Sequence, residues 1–472
     1  YVPAIQRFAY YHYSINQPMS LSTNNVYALW GEGNGVYWIG TGGAGLDRID
    51  TKRGSSFSFQ HDPEDPKSLP NNTIYAIYGE EGNDGIYWIG TVGGGLARFD
   101  SHRYSFTTYT RDPEDPSTLS SNYITVITSA GDGKLWVGTL GLGLDLFDTK
   151  TGKVIEHLTH DPDDPNSLQE NTIFTLLPEE DGTLWIGTAR GGVDHYNPAT
   201  KQFTNYMHDE NDSDSLANNA VNALALDIRG RLWVGTSDGL SVLDPDTLKF
   251  KTHTEKEGLP GNAVYGVLVD EQNNDVWVST SGGLGQFQQS NSEWRNYDVN
   301  DGLQGTQFNL FAYAKSPDGE FLFAGANGVN VFCPDGILRN SYVPEVILTG
   351  VQIWNQTVPI GEEQLPMALN LTDAITLSPD DDMVTIQYSA TNYQIRQHNL
   401  FQTKLEGFSD EWSPATTKTE VTYTNLNPGT YTLLIKTANN DLIWNETPRE
   451  LTIVVQPDWY ETLQFRIGVI AM

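Results

Sequence analysis

Apolar positions along the first two-thirds of the chain come in short runs rich in Trp, Tyr, Phe, Val and Ile, each closed by Gly, Asp-Gly or Asp-Pro. Runs of this kind between turn residues predict β-strands. One run is written repeatedly. YWIGTGGAGLDRID at 37–50 returns as YWIGTVGGGLARFD at 87–100, LWVGTLGLGLDLFD ending at Asp148, LWIGTARGGVDHYN ending at Asn197 and LWVGTSDGLSVLD ending at Asp244. VWVSTSGGLGQF and FLFAGANGVNVF are weaker copies. The anchor falls at Trp38, Trp88, Trp136, Trp185, Trp233, Trp277 and Leu322, in steps of 50, 48, 49, 48, 44 and 45 residues. Such a period is the mark of a repeat architecture.

Each unit holds four such runs. A lone four-stranded sheet cannot bury both faces, whereas seven arranged radially can, with the tryptophans filling the space between them. The expected fold is therefore all-β, with a seven-bladed β-propeller over residues 1–336. The last unit supplies only three strands, near Phe308–Lys315, 320–324 and Gly328–Phe332, while the opening IQRFAYYHYS matches the outer strand of the other units. Residues 5–13 are thus expected to complete the seventh blade. A repeated Asn, at Asn24, Asn72, Asn122, Asn171, Asn219 and Asn262 with Thr306 in the last unit, is expected to tie off a loop through its side chain.

From about Val343 the rhythm ceases, and segments such as EVILTGVQIW, MVTIQYSA and GTYTLLIKTA suit a β-sandwich of immunoglobulin type over residues 337–458. Cys333 is the single cysteine, so no intrachain disulfide reports on compartment. In residues 459–472, Trp459, Tyr460 and Phe465 precede the apolar IGVIAM. This reads as a juxtamembrane segment and the start of a membrane helix; an ordinary strand or helix end is the alternative.

The balance of 27 basic against 60 acidic residues, a formal charge of −33, disfavours nucleic acid and anionic membrane surfaces as partners. A neutral or cationic small ligand fits better. The same charge also suits a solvated surface with no partner at all.

The units LWVGT with GGL and FD, the loops DPEDPKSL, and the stretch LEGFSDEW with YTNLNPGTYTLLIKTANNDLIWNE resemble the extracytoplasmic sensors of bacterial two-component systems. In that family regulator-propeller repeats precede a three-tyrosine (Y_Y_Y) sandwich domain, a membrane helix and a cytoplasmic histidine kinase, often a hybrid kinase. The resemblance implies a periplasmic domain of an inner-membrane protein, signalling as a homodimer through the sandwich. The parent's output would be a histidine kinase or a diguanylate cyclase. One propeller stands here where many relatives carry two. Tyr388, Tyr393, Tyr423 and Tyr431 fit the tyrosine-rich pattern, but Phe401 and Thr403 stand where tyrosines are expected.

Ligands of propellers bind on the face formed by the loops entering the innermost strands and the turns between second and third strands. Those turns are mostly bare glycine; Arg190, Asp238 and Asn327 depart from that pattern and are candidate ligand-binding residues. Tyr27, Tyr75, Phe174 and Tyr265, on the innermost strands, could stack on a sugar ring of a carbohydrate or similar small molecule. The alternative is that Arg190 pairs with a neighbouring acid and the aromatics pack between blades.

Asp62, Glu64 and Asp65 lack calcium-loop spacing and suit an Asp-Pro turn. His61, His160 and His208 occupy one aligned position around the rim, too far apart to share a metal. No metal, cofactor or catalytic residue is expected, and none of the motifs HExxH, paired CxxC, GxSxG or a phosphate loop occurs. The reading is a ligand sensor without catalysis of its own. A secreted propeller hydrolase or lyase, and an adhesion or scaffold module, are the alternatives.

Overall fold

The computed structural model describes residues 7–458 apart from 16, 80–84, 338, 363 and 366, together with residue 460. The chain divides after Ile337 into two compact units. The described residues form nine four-stranded sheets. Seven belong to the repeats and are the blades of a propeller, so the fold is all-β as expected.

Six blades use four consecutive antiparallel strands; blade five, for example, takes Val221–Leu226, Leu232–Thr236, Gly239–Leu243 and Phe250–His253. Blade seven takes Phe308–Lys315, Phe321–Gly325 and Gly328–Phe332, and its outer strand, Ala9–Tyr11, comes from the other end of the chain. Ala9 lies opposite Val331 and Tyr11 opposite Val329. Beside this seam Arg7 donates to Asp301 at 2.9 Å with both side chains buried, and Phe8 packs edge-on against Tyr297 and Phe332.

The anchor indoles fill the gaps between blades: Trp38, Trp88, Trp233 and Trp277 are at most 2% exposed. Trp38 of blade one, for instance, packs on Ile74, Tyr87, Ile89 and Phe99 of blade two. Burying 150–250 Å² per indole contributes roughly 4–6 kcal/mol at about 25 cal/mol/Å², before entropy is counted. Several indole N–H groups meet an acid six residues earlier: Trp38 donates to Glu32 at 2.8 Å, Trp185 to Glu179 at 2.6 Å and Trp233 to Asp227 at 3.0 Å.

A second tie links each blade's entry loop to its third strand. In five blades the residue after the loop leucine donates its backbone N–H to a side chain there: Ser22 to Asp47, Ser120 to Asp145, Gln169 to Asp194, Ala217 to Ser241 and Gln304 to Asn330. In the other two the donor position is Pro70 or Pro260, which has no N–H, and the third strand carries Ala97 or Gly285 instead. A buried acceptor is kept only where a donor exists, because an unpaired buried carboxylate is costly.

The second unit is a β-sandwich. One sheet orders Gln356–Thr357, Val346–Ile353, Met383–Ala390 and Glu420–Thr424; the other orders Ala374–Leu377, Arg449–Val455, Gly429–Ala438 and Leu400–Glu406, with Ala374–Leu377 parallel to its neighbour. Phe401, where a tyrosine was expected, is 2% exposed and packs on Tyr388 at 5.0 Å between centroids. Thr403 donates to Ser413 at 3.3 Å. Tyr431 donates to the carbonyl of Asn427 at 3.0 Å, pinning the turn before its strand, whereas Tyr393 is exposed. One end of the sandwich holds a buried amide network: Asn340 donates to Asn392 at 3.0 Å and Asn440 at 2.8 Å, and Asn392 donates to Asn399 at 2.7 Å. Asn439 donates to the carbonyls of Asn340 and Tyr342, so amides hold the segment entering the sandwich.

Among the described residues no helix is long and apolar enough to cross a membrane. The expected membrane segment at 459–472 lies outside the described residues except for Tyr460.

Candidate ligand-binding site at the propeller axis

Each innermost strand opens with a β-bulge. The register slips between Val26 and Ala28, Ile74 and Ala76, Ile124 and Val126, Ile173 and Thr175, Val221 and Ala223, and Val264 and Gly266. The bulged residues are Tyr27, Tyr75, Thr125, Phe174, Asn222 and Tyr265. A bulge re-aims one side chain out of the pleat, and it recurs where side chains must point somewhere a flat strand would not send them.

The bulged residues divide by chemistry. Thr125 donates to the carbonyl of Ile173 at 2.5 Å, Asn222 to that of Val264 at 2.9 Å, and Asn309 of blade seven to that of Val26 at 2.8 Å. Each polar member therefore ties its blade to the next. Two of the aromatic members instead meet each other: Tyr27 and Tyr75 lie 5.1 Å apart between centroids.

Blade seven completes the cluster. Its inner strand slips between Phe308 and Tyr313 while its partner moves only from Gly325 to Phe323, so the bulge is longer than in the other blades. The extra residues place Phe311 at the axis, 5.5 Å from Tyr75 and 5.6 Å from Phe174. Phe311 sits at φ 65°, a left-handed conformation that an aromatic residue holds only where its surroundings enforce it. Tyr313 reaches to within 3.5 Å of the Thr175 hydroxyl, and burial pushes its own hydroxyl pKa up. A Cβ on Gly266 would meet the Tyr313 ring at 2.7 Å, so this blade needs glycine there. The resulting cavity, about 150 Å³, is lined by Tyr75, Thr125, Phe174, Phe311 and Tyr313 among others.

Three of the four expected aromatics, Tyr27, Tyr75 and Phe174, are thus brought together through Phe311. Tyr265 packs instead on the cluster of Phe8, Trp277, Leu303 and Phe308. Arg190 and Asp238 are exposed on their turns, and the Asp238 amide donates to Thr236 at 3.2 Å. Asn327 uses its backbone in the seam: its amide donates to Gln304 at 3.0 Å and its carbonyl accepts from Tyr10 at 2.8 Å. None of these three side chains hydrogen-bonds to the aromatic cluster among the described residues. Phe311 carries no repeat signal, because the extra residues of blade seven's inner strand put it out of step with the other blades.

The repeated Asn ties loops. Asn72, Asn122, Asn171 and Asn219 each accept at 2.7 Å from the amide of His61, Arg111, His160 and His208 respectively. The three histidines spend Nδ1 on the carbonyls of Leu69, Leu168 and Leu216 at 2.6–2.7 Å. Asp62 and Asp65 accept from the amides of Glu64 and Lys67, which is an Asp-Pro turn. Burial raises the Asp194 carboxyl to about 6, while the hydrogen bond that His157 donates to Asp145 is the main cause that raises His157 to about 9. Both belong to the structural ties of the third strands.

The described residues thus form a seven-bladed propeller and, as a separate unit, a β-sandwich. The Two component regulator propeller model matches residues 118–141, 167–190 and 215–238, and the Y_Y_Y domain model matches residues 392–456. Histidine kinase P4 of Formosa agariphila is 31% identical over 221 residues, covering 46% of this chain and 16% of that protein. The extracellular domain of BT3049 from B. thetaiotaomicron, assigned as a hybrid two component system, matches with TM-score 0.80 at 23% identity, over 96% of this chain and 58% of that one. PorZ, an essential surface component of the type-IX secretion system of Porphyromonas gingivalis, matches with TM-score 0.53 at 16% identity, over 92% and 60%. The chain spans less than two-thirds of each of these relatives. It carries two component regulator propeller repeats and a Y_Y_Y domain, the pairing on which the resemblance rested.

Proposed function

We propose that the chain is the extracytoplasmic ligand-sensing region of a two-component sensor histidine kinase, and that a carbohydrate or similar small molecule binds at the aromatic mouth of the propeller axis. The observation that carries this reading is the convergence of Tyr27, Tyr75, Phe174 and Phe311 in a protein that joins regulator-propeller repeats to a Y_Y_Y domain. Flat rings framed by amides and hydroxyls suit the apolar face and hydroxyl edge of a sugar. Arg190 and Asp238, on neighbouring turns, would contact the ligand's outer groups. Signalling would follow from differential binding: the ligand favours one arrangement of a sandwich-mediated dimer, and the parent's membrane helices pass the change to the kinase. The chain would need no catalytic chemistry of its own.

Calorimetric titration with a panel of neutral oligosaccharides tests this. At least one should bind saturably without being cleaved, with Tyr75→Ala weakening it at least tenfold and Arg190→Ala weakening it less. Released products would favour a hydrolase or lyase, and no binding across the panel would overturn the sensor assignment.

A further inference from the structure

We propose that a second pocket, at the opposite end of the strands from the aromatic cluster, binds a small organic cation of the primary-amine type. The pocket lies among the first hairpins of blades six and seven, the end of the innermost strand of blade one and the turn 333–335 after the third strand of blade seven, and its volume is about 420 Å³. Pockets of this size hold small ligands. Trp30 and Phe321 give it apolar wall, and Asp270, Glu271, Asp318 and Asp335 give it charge, against one lysine, Lys315. Lys315 is committed to Glu271 at 2.6 Å.

Asp270 is what turns an acidic patch into a site. It is 5% exposed, its Oδ1 accepts from the amide of Gln272 at 3.0 Å, and its Oδ2 is buried with no partner. A comparison with its own repeats shows why this oxygen is left without a protein partner. Glu179 and Asp227 begin the same hairpin in blades four and five, and each accepts the indole N–H of its blade's tryptophan. Those loops span 179–183 and 227–231; in blade six the paired residues are Val269 and Val276, so the loop 270–275 is one residue longer. The carboxylate no longer meets the indole, and Trp277 Nε1 is likewise left without a partner. Packing does not ask for a buried, unpaired carboxylate; a cation does.

Burial, the amide of Gln272, and the charges of Asp335, Asp275 and Lys315 act on Asp270 in that order, and the balance raises its pKa. An incoming ammonium would reverse that balance. A metal fits less well: among the described residues, no group of three or more metal-ligating residues with ligand atoms within 4.8 Å of one another includes any of these four acids. An ammonium needs only hydrogen-bonding distance to two carboxylates, and Trp30 can add a cation–π contact.

The test is calorimetric titration of the chain with putrescine, with 1,4-butanediol as the uncharged control and calcium chloride as the metal probe. Putrescine should bind once per chain and butanediol should not. Asp270→Asn and Asp335→Asn should each weaken putrescine at least tenfold; Asp335 is at the exposed rim, so its variant reads the site even if Asp270→Asn does not fold. Absence of saturable putrescine binding, or unchanged binding in Asp335→Asn, would overturn the proposal. So would calcium binding that is lost in these variants while putrescine fails to bind. The oligosaccharide titration reads the other end of the propeller, so the two proposals fail separately.

Discussion

Blades five and six are written on the same plan, with anchor indoles 1% and 0% exposed, yet their first hairpins handle charge in opposite ways. In blade five Asp227 accepts from Trp233 at 3.0 Å and from the Arg231 side chain at 2.6–2.7 Å. In blade six one added residue leaves Asp270 and Trp277 each with an unmet polar atom. Burial pushes the Asp227 carboxyl up, but the bonds from Trp233, Arg231 and Arg229 outweigh it and hold the pKa below the usual range; Asp270 is left above it. The comparison teaches that a repeat with intact packing can still release a single polar group, and that the group released is the one to examine for binding.

The sharpest break of this comparison is Asp227→Ala. It should destabilise the chain by about 3 kcal/mol in chemical denaturation, since it strands a partly buried Arg231 and an indole N–H. Asp270→Ala should cost much less. Next, Trp233→Phe should cost about 1–2 kcal/mol more than Trp277→Phe, because only the first removes a hydrogen bond to a carboxylate. A smaller effect is expected from deleting Asn273, which shortens the blade-six loop to the length found in blade five. The carboxylate–indole bond should form, raising stability by about 1 kcal/mol, and putrescine binding should disappear.

Acid titration of stability adds the finest test. Asp227, with a lowered pKa, contributes stability above the ordinary carboxylate range that is lost as pH falls through its folded pKa. His253, whose pKa burial, more than the nearby Lys251, lowers to about 4, opposes folding as pH falls from about 6.5 towards 4. Asp270 acts the other way: its raised pKa penalises the charged folded state near neutrality, and that penalty is relieved on acidification. The stability gap between Asp270→Asn and the parent chain should therefore narrow from pH 7 to pH 4. His253→Phe should flatten the parent's loss over pH 6.5 to 4. Denaturation midpoints across that range would read both slopes.

Much of the propeller is legible in the order of residues. Seven anchors at near-constant spacing, glycine turns and repeated Asn residues are local signals, and each is found where its chemistry demands. The acid six residues before Trp38, Trp185 and Trp233 is a further signal of this local kind, as is the matching of Pro70 with Ala97 and Pro260 with Gly285; both became plain only through their hydrogen bonds. The aromatic cluster was legible only in part. Tyr27, Tyr75 and Phe174 stood out as aromatics on inner strands, whereas Phe311 did not, and Tyr265 was grouped with residues it does not join.

By itself, then, the order of residues determined the period, the strand type and the number of blades, because alternation, turn chemistry and anchor spacing act over a few residues at a time. Only the tertiary structure decided that residues 75, 174 and 311 meet at one axis and that Asp270 lines a pocket and makes no bond to its tryptophan. Both depend on counting residues across paired strands. A bulge or a hairpin longer by one residue changes little in the sequence, but it redirects a side chain once the partner strand fixes the register.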